Sequence, residues 1–285
     1  MIGVLFDGFA YGMLLFLLSV GLSVTLGMMN FVNLAHGSFA MLGGYVTVTL
    51  VNHFGWPFLA TLPISFLVAG LASVVFERLI FQRLYRRSDL DQVMLTIGIV
   101  FISVAGAAYV FGTMQQPVPM PPRLDGAVVL GDLRFPYYRI FLIATGLVVA
   151  ALLIVLLEYT RFGARIRAAV DNQRMARGLG IDVSLVFAAS FALGSGLAGL
   201  GGSLAIEMVG LDPSFALTYL IYVLIVVAMG GLGSIMGSFA AAVLIGVTDM
   251  AGKYYVPQLG SFLIYLVMLA LLMWRPIGIF GKRAA

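Results

Sequence analysis

The sequence predicts an all-α, polytopic membrane protein of about eight or nine transmembrane helices, some of them short or broken. Three observations carry that reading. Hydrophobic residues make up 62% of the 285 residues and charged ones only 10%, and the mean hydropathy is +1.09, far too apolar for a soluble globule. Several apolar runs reach the roughly 20 helical residues needed to cross a hydrocarbon core about 30 Å thick. None shows the in–out alternation of a membrane barrel strand, which leaves helices, because they satisfy their own backbone groups in lipid.

Taken in order, the predicted spans cover residues 4–27, 38–51, 58–80, 93–111, 137–157, 185–208, 218–229, 235–249 and 261–274. The first begins almost at once, in MIGVLFDGFAYG, which has neither a basic n-region nor a small-residue cleavage site and reads as a mature N-terminus. The second, seventh and eighth are shorter than a full crossing. Each is either completed by its flanks or is a half-helix buried among its neighbours. Trp56, Tyr109, Tyr137, Tyr138, Tyr254, Tyr255 and Trp274 fall near span ends, where amphipathic rings sit at the headgroup level.

Charge sets the expected orientation. Of the 16 Lys and Arg, Arg78, Arg83, Arg86 and Arg87 precede the fourth span, Arg161, Arg165, Arg167, Arg174 and Arg177 precede the sixth, and Arg275, Lys282 and Arg283 follow the last. All of these share one face if the N-terminus is outside, whereas Arg123, Arg134, Arg139 and Lys253 fall on the other. The positive-inside rule then puts the C-terminus in the cytoplasm. A pI near 9.4 therefore reflects charges flanking spans and does not signal nucleic-acid binding.

Two connections stand out. The external one, residues 114–136, holds Pro117, Pro119, Pro121, Pro122 and Pro136, which stiffen it against helix formation. A small hairpin over residues 128–133 through Gly131-Asp132 is expected there. It is either a plain loop or a landing surface for an external partner. The cytoplasmic connection, residues 158–184, is the longest polar, helix-capable stretch, and each of its arginines would cost roughly 2.5–3.5 kcal/mol at a bilayer centre. Asp171 is expected to cap a short helix from Asn172 to Leu179, ended by Gly180. Met175, Ala176 and Leu179 would be apolar knobs for a groove on another protein.

An internal repeat appears at an offset of 200 residues, where His36-Gly37-Ser38-Phe39-Ala40 matches Met236-Gly237-Ser238-Phe239-Ala240. Each copy opens a short inward-to-outward span, which suggests two parallel-oriented pseudo-repeats with a pathway near their interface. Asn30, Asn33, His36 and Gly37 interrupt the apolar pattern before the second span. They form either an ordinary cytoplasmic turn or a broken helix beside a transport path, with the amides and the imidazole as gate or structural hydrogen-bonders. Gly230, Gly231 and Gly233 read as a turn or hinge between the seventh and eighth spans.

Enzymatic chemistry finds no support. There is no cysteine, hence no disulfide, thiol nucleophile or thiolate metal site. The two histidines, His36 and His53, belong at opposite faces, so no metal site is expected. Residues 194–199, GSGLAG, match GxGxxG in letters only, because they lie inside a span with no preceding strand. Gly194, Ala198, Gly202 and Ala205 instead form a small-residue face for close helix packing. No Walker A loop occurs, and no cofactor or catalytic residue is expected. The intramembrane acids Glu207 and Asp249 lie toward outer span ends and are either functional or solvated interfacial groups, Asp249 with Lys253 as an i,i+4 partner. Glu77 and Glu158, at inner ends, read as simple interfacial charges.

Three stretches resemble one family over essentially the full length. They are Gly21-Leu22-Ser23 through Asn33-Leu34-Ala35-His36-Gly37 to Gly43-Gly44-Tyr45; the loop with Gly163, Arg165, Arg167-Ala168, Asn172, Ala176 and Gly180-Ile181; and Gly230-Gly231-Leu232-Gly233-Ser234 with Gly237. The chain is similar to the permeases of ABC importers for branched-chain amino acids, of the H-type (LivH-like). Ala176 and Gly180 match the Ala-x-x-x-Gly core of that family's coupling segment, although Arg174 and Met175 stand where the general motif has an acidic residue. The resemblance implies a single permease domain over 1–285 in a bacterial inner membrane. Its partners would be a second permease subunit (M-type or a homologue), two cytoplasmic ABC ATPases and an external solute-binding protein. It implies coupling to the ATPase through Asn172, Met175, Ala176, Leu179 and Gly180, with leucine, isoleucine or valine as substrate. A urea or short-chain amide permease of the same family is the near alternative, and a self-contained secondary transporter the more distant one.

Overall fold

The computed structural model describes every residue except Asn30, Val32, Arg86, Asp132 and 282–285; for Met28, Met29, Leu130 and Ser261 it describes the backbone alone. The expectations that fall on Asn30, on the Asp132 half of the hairpin turn and on Arg86, Lys282 and Arg283 thus lie outside the described residues. Among the described residues, nine apolar helices match the predicted spans: α1 (Ile2–Met29), α2 (His36–Asn52), α3 (Phe58–Leu79), α4 (Asp89–Phe111), α5 (Tyr137–Glu158), α8 (Val183–Val209), α9 (Phe215–Gly230), α10 (Ile235–Tyr255) and α11 (Gly260–Trp274). Between α5 and α8 lie two polar helices, α6 (Arg161–Asp171) and α7 (Gln173–Gly178). Six of the nine are long and apolar enough to cross a membrane, while α2, α9 and α11 are shorter. The eighth predicted span is completed by its flank and is not a half-helix, since α10 continues through Lys253 to Tyr255 and reaches full crossing length.

Local chemistry sets several helix starts. Ser88 Oγ accepts a hydrogen bond from Asp91 N (3.2 Å) at the start of α4, where Asp89 and Asp91 also complement the helix dipole. Asp182 does the same for α8 through Leu185 N (3.1 Å), and Ser234 for α10 through Gly237 N (3.0 Å). The proline-rich connection between α4 and α5 folds back as an antiparallel hairpin, β1 (Ala127–Leu130) with β2 (Leu133–Pro136), as its sequence predicts.

Helix α1 is the central pillar, buried over most of its length and packed against α10, α8, α5 and α9, while α2 and α3 close onto α8. Close approach is possible because small residues face each other. A Cβ added at Gly194 would fall 2.7 Å from Gly21 O, and one at Gly202 would run into the Ala40 backbone. In lipid such interfaces are held by packing and hydrogen bonds, with no hydrophobic effect between helices. Where α2, α3 and α8 meet, Thr47 Oγ1 donates to Ser203 Oγ (3.0 Å), which lies 2.8 Å from Ser65 Oγ and 3.0 Å from the carbonyls of Gly43 and Gly199. The outward surfaces of α4, α5 and α11 carry exposed Phe101, Ile102, Val148, Leu152, Phe262 and Leu269, as lipid-facing helices do. Tyr138 departs from the expected aromatic belt: it is buried and donates to Leu204 O (2.6 Å), joining α5 to α8.

Candidate functional site

The polar connection after α5 is organised as two helices with separate caps. Thr160 Oγ1 caps α6 by accepting from Gly163 N (3.4 Å), and Gly163 packs against the Leu157 backbone. Arg167 reaches back to donate to Leu157 O. Ile166 and Ala169 turn inward while Arg161 and Arg165 face out, so α6 lies along the bundle with an apolar underside. Asp171 is the last residue of α6 and does not cap α7. Asn172 takes that role, its Oδ1 accepting from Met175 N (2.9 Å). The cap moves by one residue because Asp171 is still inside α6, whereas Asn172 has the extended backbone a cap needs.

Helix α7 ends as predicted at Gly180. Its φ of +80° lies in the left-handed region, with Gly180 N donating to Arg177 O (3.0 Å) and Ile181 N to Ala176 O (3.0 Å). These are the paired bonds of a Schellman motif, which satisfy the last free carbonyls. The expected row of three knobs is corrected to two. Met175 is 69% exposed and Leu179 78%, but Ala176 is 2% exposed and packs with Ile166, Ala169, Val183 and Phe187. The three residues span an arc of about 100°, and Ala176 at one edge of it turns under the helix to anchor it to the bundle, leaving the two larger side chains outward.

The break before α2 is also a packed structure. Asn33 Oδ1 accepts from Ala35 N (3.1 Å), and His36 Nε2 lies 2.9 Å from Leu18 O, so that nitrogen carries the proton. Both side chains are buried. Leu18 sits well inside α1, so α2 begins beside the middle of its predecessor; the 11 residues that follow Leu18 up to Met29 correspond to about 16 Å of helix. Gly37 lies against the backbone of Ala216, at the start of α9. The short helices α2 and α9 therefore start against each other within the bundle. At α9–α10, Gly230 packs on Gly237, and Gly231 and Gly233 adopt φ of +93° and +77°. A Cβ on Gly233 would sit 3.1 Å from Gly27 Cα, so the α9–α10 turn, opening the second repeat copy, touches the end of α1 just before the first.

One acid does not behave as the sequence suggested, while Asp249 takes the expected partner Lys253. Glu77 is 0% exposed, not a solvated interfacial charge. It accepts from Tyr85 Oη (2.9 Å) and Gln82 Nε2 (3.2 Å) and pairs with Arg78 (3.7 Å). Burial first, and then the adjoining Glu77 carboxylate, push the Tyr85 hydroxyl well above its ordinary value, so it stays a donor. Asp249 is likewise 0% exposed; Lys253 Nζ donates to its Oδ2 (2.6 Å), and Oδ1 has no partner among the described residues. Glu207 and Glu158 are exposed, as interfacial groups would be. An apolar groove of about 400 Å³ lies between α3, α5, α6 and α8, lined in part by Phe66, Leu71, Leu156, Phe162 and Leu193.

Comparison with known proteins identifies this architecture. A family profile described as the permease component of the branched-chain amino acid transport system matches residues 4–272. The chain is 30% identical to the probable branched-chain amino acid transport permease protein LivH of Methanocaldococcus jannaschii, over 95% of this chain and 90% of that one. It is 24% identical to the high-affinity permease BraD of Pseudomonas aeruginosa, over 98% and 95%. The LivM permease of Escherichia coli is 25% identical, over 94% of this chain and 68% of its own length. No solved structure matches. The match over nearly the whole chain, on a bundle whose described residues form nine apolar helices, establishes that this multi-pass membrane protein belongs to the family of branched-chain amino acid transport permease components.

Proposed function

We propose that this chain is the H-type permease subunit of an ATP-driven importer that carries branched-chain amino acids inward across the cell membrane. The N-terminus is outside and the C-terminus cytoplasmic. Substrate arrives from an external binding protein and crosses between this subunit and an M-type partner or homologue. Two separate ATPases supply the energy. The observation that carries the reading is α7, a capped helix with Met175 and Leu179 offered to solvent and Ala176 fixed beneath. Two large apolar side chains projecting from an arginine-rich polar segment suit a groove on a soluble partner. Asn172 and Gly180 set the two ends of that helix, and the coupling role falls to it. The junctions around Asn33, His36, Gly37, Gly230, Gly231 and Gly233 are the elements that would border the path and flex as hinges, because interrupted helices at a repeat interface are where transporters place their pathways, and access changes as one repeat moves against the other.

Uptake in membrane vesicles tests this directly. The proposal expects uptake of labelled leucine to stop when the ATPase subunits are deleted and to survive a protonophore while ATP is supplied. One observation favours a second reading, a proton-coupled secondary transporter: the buried Asp249, whose Oδ1 lacks a partner among the described residues, is a group that could relay a proton. That reading expects the opposite pattern.

A further inference from the structure

We infer that Glu77 is a positioning residue that locks the junction between α7 and α8 to the end of α3 and to the α1–α2 break, so that movement of α7 is passed into the membrane helices as one unit. This rests on the proposal that α7 meets the ATPase.

The geometry is a fork. Glu77 stands near the end of α3, its Oε1 taking the Tyr85 hydroxyl and its Oε2 the Gln82 amide. Gln82 Nε2 also lies 3.2 Å from Ser184 Oγ, and Arg78 Nη1 donates to the same oxygen (3.1 Å). Ser184 is the second residue of α8, four beyond Gly180, where the chain leaves α7. One carboxylate therefore organises the two side chains that hold the root of α8. On the other side, the Tyr85 ring meets Phe187 of α8 edge-on (6.1 Å) and Phe31, between α1 and α2, likewise (5.4 Å). Phe31 in turn packs with Phe81 (5.3 Å), and Phe81 with Phe191 (5.3 Å). Ser73 Oγ lies 3.3 Å from Phe191 O, adding a second tie between α3 and α8 deeper in the bundle.

A buried carboxylate is a costly way to hold helices together, since an apolar contact of similar shape often does as well. What it adds is direction. Hydrogen bonds to a fixed pair of oxygens specify one register among the α3 end, the short turn at Phe81–Arg83 and the α8 root, where apolar packing alone would tolerate several. Chains of packed side chains and hydrogen-bond networks of this kind can carry energetic coupling between distant sites.

The test uses the complete complex, with partner permease, ATPases and binding protein, in proteoliposomes. Tyr85→Phe removes one hydroxyl and keeps the ring; Glu77→Gln keeps the shape and removes the charge. The inference expects both to retain ATPase docking and basal hydrolysis while amino acid delivered per ATP falls at least about threefold, within the range that substitutions along a coupling network produce. Glu77→Asp, a shorter carboxylate, should recover part of the ratio. A wild-type ratio in both variants overturns the inference, as does a drop in uptake that accompanies lost docking or lost folded protein with the ratio unchanged. If the wild-type complex itself shows no ATP-dependent uptake, the proposed function fails, and this inference with it.

Discussion

Replacing Met175 and Leu179 by alanine should weaken ATPase docking and leave the permease fold intact. Fully burying a Met or Leu side chain is worth about 1.5–3 kcal/mol. With 69% and 78% of these residues exposed, most of that gain is still unrealised in the isolated chain. Truncation to Ala keeps Cβ, so each substitution should remove roughly 1–2 kcal/mol of docking energy. That is about a 5- to 30-fold rise in Kd for each, and more for the pair. Thermal unfolding in detergent should move little, because exposed positions contribute within about 0.5 kcal/mol. Ala176→Glu should do the reverse. It places a carboxylate among Ile166, Ala169, Val183 and Phe187, which costs several kcal/mol unless the group is neutralised, and less folded permease should be recovered. The assay is titration of purified ATPase onto permease in nanodiscs, with melting measured in parallel. Unchanged affinity in the double alanine variant, or a melting loss equal to that of Ala176→Glu, would refute the reasoning.

Gly202→Val should cost about 1–3 kcal/mol by overpacking, since its Cβ would collide with the Ala40 backbone; an unshifted thermal melt would mean that α2 and α8 do not approach so closely. Ser203→Ala strips the shared partner of Thr47 and Ser65 and should cost roughly 1–2 kcal/mol in the same assay, with no loss arguing that water replaces it. The absence of native cysteine makes orientation simple to read. Met114→Cys should react with an impermeant maleimide in intact cells and Ala164→Cys only after permeabilisation, and the reverse pattern would invert the assigned topology.

The membrane helices are legible in the sequence because their signal is local. Apolar runs and flanking arginines place all nine described ones, and most ends agree within a few residues. Gly180 is legible for the same reason, as only a glycine readily takes the left-handed turn that ends α7. The misreadings share the opposite cause. Glu77 looks like an interfacial charge because its partners come from a following turn and, through Ser184, from more than 100 residues away. Tyr138 passes for a belt residue because its acceptor, Leu204 O, belongs to another helix. Ala176 groups with Met175 and Leu179 by type and by position within an arc of about 100°, and only its packing against Ile166, Ala169, Val183 and Phe187 sets it apart. Helix α6 is hidden by its arginines, yet Phe162, Ile166 and Ala169 at helical spacing are a signal that could reveal its apolar underside.

The central claim is that this chain moves branched-chain amino acids under the power of a separate ATPase. The direct measurement is uptake of a labelled amino-acid panel into proteoliposomes holding the permease pair and ATPases, with binding protein outside and ATP inside. The account predicts accumulation of leucine, isoleucine and valine that requires both ATP and binding protein, and no accumulation of urea or acetamide. Uptake of the amides instead, or amino-acid uptake that proceeds without ATP, would contradict it.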